Sequence, residues 1–427
     1  MRTVTSRCDV AVIGGGAAGL ASAVTAAQAG AHTVLVERQG FLGGMATAAL
    51  VHSICGLYLL REEPGALLAH PGFPSRMSHL LIEAEASSGP IRMGRLDVLP
   101  ISPPGMAFVC DSLVAKYPNL EVRFHSELVS AHAAENTLQE VRCVSRGIHQ
   151  ILNASSWIDA SGDASLCAAA GAGFDQAPAT KLQRPAFIFS MHSVAVEKLD
   201  SDGRVHLAHQ IACAVSDGLL PKGCLGAQFR PTGKGAQVYV TLDLCGPEDF
   251  NPTEPAHLSA LERAGRRLAH ELFIFLRNKH PAFHASELGA FPSRVGLRES
   301  RRVQGLETVT GNAVLTGSAC DQKVAIGTWP MEIREVSTGP RWRFPQGNRP
   351  TQIPVGALRA NSISNLWVAG RCISCDHDAQ AALRVMGTCM ATGQAAGAGA
   401  TLQASLKAPS AEAVCTLIET LWTMEKP

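Results

Sequence analysis

Residues 9–20 constrain the fold of this chain more strongly than any other segment. An apolar run rich in Val ends in the spacing Gly14-x-Gly16-x-x-Gly19 and then becomes an Ala-rich stretch. This pattern is typical of a strand, a tight turn and a helix. The three glycines allow the turn, the close approach of backbone to a pyrophosphate, and close packing of helix on strand. The segment therefore predicts an α/β fold that binds a dinucleotide.

The next apolar run completes a βαβ unit. Residues 33–36 follow the predicted helix at the required distance, and Glu37 stands at their end. A carboxylate there can bind the hydroxyls of an adenosine ribose and would repel a 2′-phosphate. A coincidental glycine-rich turn is the alternative, but the complete βαβ context favours the dinucleotide. A second glycine pair, Gly43-Gly44, can extend the cradle along the same cofactor.

The composition indicates a compact enzyme without an electrostatic signal for nucleic acid or membranes. The 427 residues have a net charge of +1, and only 17% of them are charged. No apolar run is long enough to span a bilayer, so we expect a cytoplasmic protein that binds a small-molecule substrate but neither nucleic acid nor membrane. The thirteen cysteines are scattered, which favours buried free thiols over a disulfide framework.

The order of strand patterns and prolines predicts two interleaved domains. Short alternating runs between residues 120 and 152 predict one strand of a parallel sheet and then an antiparallel meander, and a buried strand at 156–159 leads to Gly162-Asp163. Prolines cluster between residues 58 and 110, which indicates a cap insertion. The prediction is a discontinuous Rossmann-like dinucleotide-binding domain (1–57, 111–178 and 355–404), an interleaved mixed α+β cap or substrate domain (58–110 and 179–354), and a C-terminal helix (405–427).

Two further segments predict helices of different kinds. Residues 255–279 have the periodicity of an amphipathic helix and belong to the predicted substrate domain. Residues 388–400 consist mostly of small side chains. A helix of this composition can pack closely against backbone or a flat ring.

Five segments together resemble FAD-dependent oxidoreductases with a glutathione-reductase-like flavin domain. They are the N-terminal fingerprint, Gly43-Gly44-Met45-Ala46-Thr47, Ile158-Asp-Ala-Ser-Gly-Asp163, Gly296-Leu-Arg298-Glu-Ser-Arg301-Arg302, and Asn365-Leu-Trp-Val-Ala-Gly370-Arg371-Cys372-Ile-Ser374. The resemblance implies that FAD rather than NAD occupies the fingerprint. It also implies that Gly162 and Asp163 lie near the pyrophosphate.

By the same resemblance, Gly370-Arg371 and the start of the following helix lie beside the ribityl chain and the pyrimidine edge of the flavin. A helix N-terminus there would stabilise the negative charge of the reduced ring. The implied cofactor-binding residues are Gly14, Gly16, Ala18, Gly19, Glu37, Arg38, Gly43, Gly44, Met45, Ala46, Gly162, Asp163, Gly370, Arg371, Met386, Gly387 and Thr388.

The chain departs from the family pattern at two places. An Asp-Ile-His of the family corresponds to Glu332-Ile333-Arg334 here, and a Pro-Tyr corresponds to Pro354-Val355. The substrate and the detailed mechanism therefore do not follow from the resemblance.

A cluster of arginines is the candidate substrate anchor. Arg294, Arg298 and Arg302 recur every four residues, a spacing that puts them on one face of either a strand or a helix. Such a cluster can hold a carboxylate bidentately. A structural ion-pair network with Glu299 and Glu307 is an equal alternative. We expect Arg298 and Arg302 to act in catalysis, with Arg298 as the main anchor.

Two histidines are candidate acid–base groups. His377 follows Cys372-Ile-Ser-Cys375 between the last strand and the terminal helix, on the crevice side of the sheet. Its imidazole can abstract a proton while a hydride leaves for flavin N5, or it can hydrogen-bond to the flavin itself. His52, beyond the second glycine pair, is the next candidate, although a structural role is favoured there.

Cys372 and Cys375 form a Cys-x-x-Cys pair, which near a flavin can shuttle electrons as a dithiol. Flavin-disulfide reductases also need a nicotinamide site, and no second glycine fingerprint follows in the chain. Cys375 also lies outside the family pattern. We therefore expect no redox role for this pair. We predict no metal site either, because no second ligand pair has the spacing of a zinc site.

The sequence as a whole predicts an FAD-dependent oxidoreductase that dehydrogenates a small, carboxylate-bearing metabolite, with flavin N5 taking the hydride. Because one fingerprint serves FAD, reoxidation by oxygen or another redox carrier is favoured over NAD(P). A flavin monooxygenase and a flavin-bearing electron-transfer subunit of a larger complex are the alternatives. A redox partner or a homodimer is compatible with each of them.

Overall fold

The computed structural model describes residues 2–232, 235–336, 339–405 and 408–423, and the other residues of the predicted domains and C-terminal helix lie outside this range. The strands are β1 (Thr3–Ile13), β2 (Thr33–Val36), β3 (Ser53–Ile54), β4 (Ile91–Met93), β5 (Leu96–Pro100), β6 (Leu120–Arg123), β7 (Glu127–Ala134), β8 (Thr137–Ser145), β9 (Ile148–Asp159), β10 (Phe174–Asp175), β11 (Ala186–His192), β12 (Gln228–Pro231), β13 (Val238–Asp243), β14 (Glu287–Leu288), β15 (Arg302–Val303), β16 (Lys323–Gly327), β17 (Met331–Ile333), β18 (Arg341–Arg343), β19 (Thr351–Pro354) and β20 (Leu366–Val368). The α-helices are α1 (Ala17–Gln28), α2 (Met45–Ala48), α3 (Phe73–Glu83), α4 (Pro103–Val114), α5 (Ser165–Ala169), α6 (Ser201–Ser216), α7 (Pro255–Lys279), α8 (Gly311–Thr316), α9 (His377–Leu383), α10 (Met386–Ser405) and α11 (Ala411–Thr423).

A seven-stranded sheet positions the fingerprint. Strands β6, β2, β1 and β9 pair in parallel, and β8 and β7 add an antiparallel meander. Strand β9 is long enough for both arrangements, because residues 148–152 pair with β8 and residues 157–159 pair in parallel with β20. This combination confirms the predicted fold class, and it brings the carboxyl ends of β1, β2, β9 and β20 to one edge of the sheet.

Helices α1 and α10 cross with almost no side chain between them. A Cβ atom on Gly393 would lie 2.2 Å from the carbonyl oxygen of Ala18, and one on Gly397 would lie 2.4 Å from that of Ser22. The Ser22 hydroxyl donates a hydrogen bond to the carbonyl oxygen of Gly393 at 2.9 Å. The small residues predicted between 388 and 400 therefore allow direct contact between the two helix backbones.

A second, four-stranded antiparallel sheet has the order β12-β13-β11-β14. Phe187 and Phe189 of β11 point into a core that they share with Leu268 and Leu272 of α7, which confirms the predicted amphipathic helix. Ile188, between the two phenylalanines, faces the other way. Because side chains alternate along a strand, one face of this sheet is buried under α7 and the other faces the first sheet.

The segment between residues 58 and 110 packs with the first sheet's helices. Phe73, Met77 and Met106 belong to the same buried cluster as the side chains of α1 and α10. The backbone N–H of Phe73 also donates to Gln394 Oε1 at 2.5 Å. The predicted assignment of 58–110 to a cap domain stays a prediction. In the packing, this segment belongs with α1 and α10 rather than with the core under α7.

Candidate functional site

The carboxyl ends of the parallel strands open into a cavity of about 410 Å³. The ends of β1, β2, β9 and β20 form one side, and the face of the second sheet opposite α7, including Ile188 and Thr241, forms another. The carboxyl edge of an open parallel sheet is where such folds bind their ligands. The cavity is therefore the candidate site.

The three fingerprint glycines have different environments. Gly14 has φ +105°, and a Cβ atom there would lie 2.6 Å from the carbonyl oxygen of Ala160. A Cβ atom on Gly19 would lie 1.7 Å from the carbonyl oxygen of Gly14, so α1 packs directly on the turn. Gly16 lines the cavity, and a Cβ atom there would meet nothing closer than the Cα of Gly44, at 3.7 Å. The free space beside Gly16 fits the pyrophosphate of a dinucleotide.

Glu37 presents a fixed carboxylate to the same part of the cavity. Its Oε2 accepts a hydrogen bond from the N–H of Gly15 at 2.6 Å, and its Oε1 accepts one from Gln39 at 2.7 Å. A carboxylate has roughly four lone-pair positions, so both oxygens can still accept from ribose hydroxyls. The N–H of Gly43 donates to the carbonyl oxygen of Gly15 at 3.0 Å, which joins the second glycine pair to the fingerprint. These residues fit the ADP half of FAD.

Arg371 connects the end of β9 to the arginine-rich segment 296–302. Its Nε donates to the carbonyl oxygen of Gly162 at 2.7 Å, its NH2 lies 2.5 Å from Asp163 Oδ1, and its NH1 donates to the carbonyl oxygen of Leu297. The hydroxyl of Ser300 donates to the same Asp163 oxygen at 2.7 Å. Asp163 is thus a partner of Arg371 behind the cavity wall, while Gly162 and Arg371 line the wall itself.

Helix α10 begins at the cavity. Met386 and Cys389 line it, whereas a Cβ atom on Gly387 would lie 2.3 Å from the carbonyl oxygen of Gly56, on another side of the helix. The positive end of the helix dipole therefore lies beside the cavity. This placement fits the flavin ring.

The predicted cofactor-binding residues fall into two groups. Those that line the cavity are Gly14, Gly16, Ala18, Glu37, Arg38, Gly44, Met45, Gly162, Gly370, Arg371 and Met386. Those that lie behind it are Gly19, Gly43, Ala46, Asp163, Gly387 and Thr388.

A group of five arginines, which we call the arginine wall, also lines the cavity; its members are Arg230, Arg294, Arg298, Arg334 and Arg384. Two carboxylates pair with them. Asp243 lies 2.8 Å from both Arg298 and Arg334, and Glu332 lies 2.6 Å from Arg334 and 4.0 Å from Arg384. Five cations thus face two anions, which leaves an excess of three positive charges.

Arg230, Arg294 and Arg384 are the least neutralised of these side chains, and the buried Nε of Arg294 has no hydrogen-bond partner among the described residues. The guanidinium of Arg230 bonds only to neutral atoms among the described residues, Met93 Sδ and Gln228 Oε1, both at 3.2 Å. Burial lowers the pKa of Arg230, and it lowers the pKa of Arg384 to about 10. Within the described part of the chain, the buried Nε of Arg384 has no hydrogen-bond partner. Because a buried, poorly paired cation is costly, this surface favours an anionic ligand.

Arg298, the predicted substrate anchor, lines the cavity but is already engaged. Its NH2 binds Asp243 at 2.8 Å, and its NH1 donates to the carbonyl oxygen of Arg184. Burial lowers the pKa of Arg298, while Asp243 acts in the opposite direction. Arg298 therefore contributes to the positive field with less free hydrogen-bonding capacity than Arg230.

Apolar side chains form a second surface of the cavity, which we call the apolar wall: Met93, Leu96, Val98, Trp329, Trp342 and Val385. The rings of Trp329 and Trp342 meet edge to face with centroids 5.9 Å apart. Trp329 is buried, and Trp342 is 39% exposed. Trp329 Nε1 donates to Glu332 Oε2 at 3.2 Å, so the apolar wall directly joins the arginine wall.

His52 lines the cavity as a neutral imidazole. Its ring stacks on Tyr239, with centroids 4.4 Å apart. Nδ1 lies 3.1 Å from the carbonyl oxygen of Leu50, which can only accept, so Nδ1 carries the proton. Nε2 is then a lone-pair acceptor, buried and without a partner among the described residues. Burial lowers the pKa of His52 to about 4, and the ring is therefore uncharged at neutral pH.

His377, the first candidate base, is not among the residues that line the cavity. Its Nδ1 lies 2.8 Å from Glu299 Oε1, and its Nε2 lies 3.2 Å from Glu335 Oε1. Both ring nitrogens are therefore engaged by carboxylates, and the geometry gives no support to a catalytic role for this residue.

Arg302 also lies outside the cavity lining. Its NH1 is 2.5 Å from Glu299 Oε1, and its Nε donates to the carbonyl oxygen of Cys375 at 3.0 Å. The segment before Arg302 is neither helix nor strand, so the four-residue spacing does not align Arg298 and Arg302 on one face. These contacts are the ones expected if Arg302 belongs to a structural ion-pair network rather than to a substrate anchor.

The Cys372 and Cys375 thiols are free and buried. Burial raises the pKa of Cys375 to about 12, and it also raises the pKa of Cys372 well above its ordinary value. A thiol must ionise to attack a disulfide, so neither group is poised for exchange at neutral pH. The absence of a redox role for this pair stays a prediction.

Sequence reasoning missed most of the arginine wall. Glu332 and Arg334, where the chain departs from the family pattern, both line the cavity, so the departure was a usable signal for the site. Arg230 and Arg384 stand in no motif and are far apart in the sequence. Only the fold brings them together.

Comparisons with solved structures returned distant resemblances. A geranylgeranyl bacteriochlorophyll reductase-like protein from Thermoplasma acidophilum is 13% identical, with 99% of this chain and 83% of that chain covered and a TM-score of 0.48. The anhydrotetracycline hydroxylase OxyS from Streptomyces rimosus is 12% identical, with 98% and 65% covered and a TM-score of 0.48. The p-nitrophenol 4-monooxygenase PnpA from Pseudomonas putida is 13% identical, with 98% and 81% covered and a TM-score of 0.41. The sequence has no significant match among curated proteins.

None of the helices in the described ranges has the length and hydrophobicity of a membrane span.

A match to a family model covers most of the chain. The family model for FAD dependent oxidoreductases matches residues 9–416, which includes the fingerprint, the Gly43-Gly44 pair and the start of α10. FAD is therefore the cofactor for which the glycine-lined side of the cavity is built. The chain belongs to the family of FAD-dependent oxidoreductases.

Proposed function

We propose that this oxidoreductase dehydrogenates a small, carboxylate-bearing metabolite in the cavity. The arginine wall carries the proposal, because its excess of positive charge lies in the same cavity as the FAD-binding glycines. Arginine pairs with carboxylates through two parallel hydrogen bonds. Bound FAD supplies a two-electron acceptor that receives a hydride at N5 and is then reoxidised by oxygen or another carrier.

The residues that line the cavity and their partners have different roles in this proposal. Arg230, which has no carboxylate partner among the described residues, and Arg384, whose nearest carboxylate oxygen there is 4.0 Å away on Glu332, bind the substrate carboxylate. Asp243 and Glu332 hold the remaining arginines in place. His52, with an unpartnered Nε2 and a lowered pKa, accepts the proton that the substrate loses. This assigns to His52 the role that the sequence alone suggested for His377.

The test is anaerobic mixing of the FAD-loaded protein with a panel of hydroxy and amino acids. We expect at least one acid to bleach the visible absorbance of the flavin. In Arg230→Met the substrate Kd should rise by about 10- to 100-fold, the range for a lost charge-assisted hydrogen bond. Arg142→Met, on the exposed meander strand β8, is the control and should not change it.

A flavin that is reduced only by an added nicotinamide, followed by transfer of an oxygen atom to the substrate in air, would identify a monooxygenase. That result contradicts dehydrogenation. Reduction by acids that is equally fast in Arg230→Met would remove the arginine wall from substrate binding.

A further inference from the structure

We propose that the substrate is an aromatic carboxylate, held with its carboxylate on the arginine wall and its ring on the apolar wall. The inference rests on the proposed function and narrows its substrate class. It follows from the direct contact of two chemically opposite surfaces within one cavity.

Two contacts between side chains define the junction between the two walls. Met93 Sδ of the apolar wall lies 3.2 Å from the NH1 of Arg230. Trp329 Nε1 lies 3.2 Å from Glu332 Oε2. The other carboxylate oxygen of Glu332, Oε1, binds Arg334. A ligand that spans this junction must be anionic at one end and apolar at the other.

The apolar wall is separate from the large cores of the protein. Leu96, Val98, Trp329 and Val385 form their own small cluster, apart from the clusters under α7 and around α1. These side chains therefore lie outside the two large cores that stabilise the sheets. Ligand cavities are typically lined by apolar and aromatic side chains with a few placed polar groups, and this wall has that composition.

The tryptophan pair favours a ring over an aliphatic chain. Trp329 is held by its hydrogen bond to Glu332, and Trp342 meets it edge to face at the partly exposed end of the wall. Aromatic rings gain from such edge and offset contacts beyond the area that they bury. An aromatic ligand can continue this arrangement, whereas a flexible chain cannot.

The charge distribution disfavours a short dicarboxylate. The cations that line this side of the cavity belong to the arginine wall, and the adjacent surface is apolar. A second carboxylate directed away from the arginines would lie against Trp329 and Val98. A charge without a partner in such surroundings is strongly destabilised.

The experiment measures ligand affinity by calorimetry and by perturbation of the flavin spectrum in the FAD-loaded protein, so that it does not depend on turnover. The probes are phenylpropionate, phenylpropionamide, cyclohexylpropionate, propionate and succinate. We expect phenylpropionate to bind about 10- to 100-fold more tightly than propionate, succinate and the amide, and several-fold more tightly than the cyclohexyl acid.

Two variants separate the contributions of the walls. Trp342→Ala, at a partly exposed position, should weaken phenylpropionate by about 10-fold and leave propionate unchanged. Arg230→Met should weaken both acids and leave the amide unchanged, and Arg230→Lys should recover part of the loss. Phe108→Ala removes an exposed aromatic ring outside the cavity and should change none of these affinities.

The results that would contradict this inference differ from those that would contradict the proposed function. Propionate, succinate or cyclohexylpropionate binding as tightly as phenylpropionate overturns the aromatic substrate class, while bleaching of the flavin by acids leaves dehydrogenation intact. Absence of binding by every acid contradicts the proposed function itself.

Discussion

The Nδ1 atom of His377 lies 2.8 Å from Glu299 Oε1, and this contact joins the start of α9 to the arginine-rich segment. The hydrogen bond to Glu299 raises the pKa of His377 above its ordinary value of 6.5, against the effect of burial. The protonated ring therefore stabilises the fold fully below about pH 6.5, and this contribution is lost as the pH rises through the higher folded-state pKa.

We accordingly expect His377→Gln to lower the free energy of unfolding most at pH 6 and least at alkaline pH. Denaturant unfolding of the FAD-loaded protein across this range measures the effect. His132→Gln, at an exposed position of β7, is the control. A loss of stability that does not vary with pH would show that the charge of His377 is irrelevant to the fold.

Substitutions at two fingerprint glycines should have different effects, because one should prevent FAD binding and the other should prevent folding. In Gly16→Val the Cβ atom has room but the branched side chain enters the cavity, so we expect a folded protein without FAD. In Gly19→Ala the Cβ atom would lie 1.7 Å from the carbonyl oxygen of Gly14, so we expect misfolding. Circular dichroism and the FAD released on denaturation distinguish the two outcomes. Retention of FAD by Gly16→Val would contradict the placement of the pyrophosphate.

The buried pair of Arg371 and Asp163 should be costly to break. Arg371→Met leaves the Asp163 carboxylate without its cation, and loss of one partner from a buried pair costs about 3–5 kcal/mol. Arg142→Met removes an exposed pair with Glu140 and should cost about 0–1 kcal/mol. The double variant Arg371→Met, Asp163→Asn should recover part of the loss, because it removes the unpaired charge. An unfolding free energy equal to that of the Arg142 variant would refute the structural role of the pair.

Replacement of His52 by Asn tests the proposed proton acceptor. The Asn amide can still donate to the carbonyl oxygen of Leu50 but offers no base at the position of Nε2. We expect unchanged FAD content and flavin reduction slower by roughly 10²–10⁴-fold. Stopped-flow reduction under anaerobic conditions gives the rate.

The lowered pKa of His52 also predicts how the rate of flavin reduction depends on pH. With burial lowering it to about 4, and Arg230 acting in the same direction, the ring stays a free base from pH 5 upward. The wild-type rate should therefore show no inflection from this group between pH 6 and 8 and should fall as the pH approaches 4. An inflection near neutral pH that disappears in His52→Asn would contradict the neutral, buried ring.

Cys375→Ala should leave turnover nearly intact. The thiol is free and buried, and burial raises its pKa to about 12. We expect a rate of flavin reduction within about threefold of wild type, because an un-ionised thiol supplies no nucleophile. Nearly complete loss of turnover with full FAD content would restore the dithiol mechanism.

The sequence predicted the FAD side of the cavity better than the substrate side because the two depend on different kinds of constraint. Gly14, Gly16 and Glu37 follow from local requirements of backbone space and charge that are visible within 30 residues. Arg230 comes from a strand of the second sheet and Arg384 from the turn before α10. No local pattern records that these two side chains face one cavity.

His377 shows why placement on the correct edge of a sheet is not sufficient. Its position after β20 does bring the segment to the carboxyl edge, as the topology predicts. The direction of the side chain is decided by Glu299 and Glu335, which bind both ring nitrogens. Those partners come from distant segments, so their effect could not be derived from the sequence around His377.

The crossing of α1 and α10 has a consequence for how the protein is made. The hydroxyl of Ser22 bonds to the carbonyl of Gly393, 371 residues further along the chain. During synthesis, the side of α1 that packs on α10 therefore has no partner until residue 393 has left the ribosome. Contacts between such distant residues slow folding and prolong the exposure of apolar surface. We therefore expect a truncation before α10 to yield an insoluble product rather than a smaller flavoprotein.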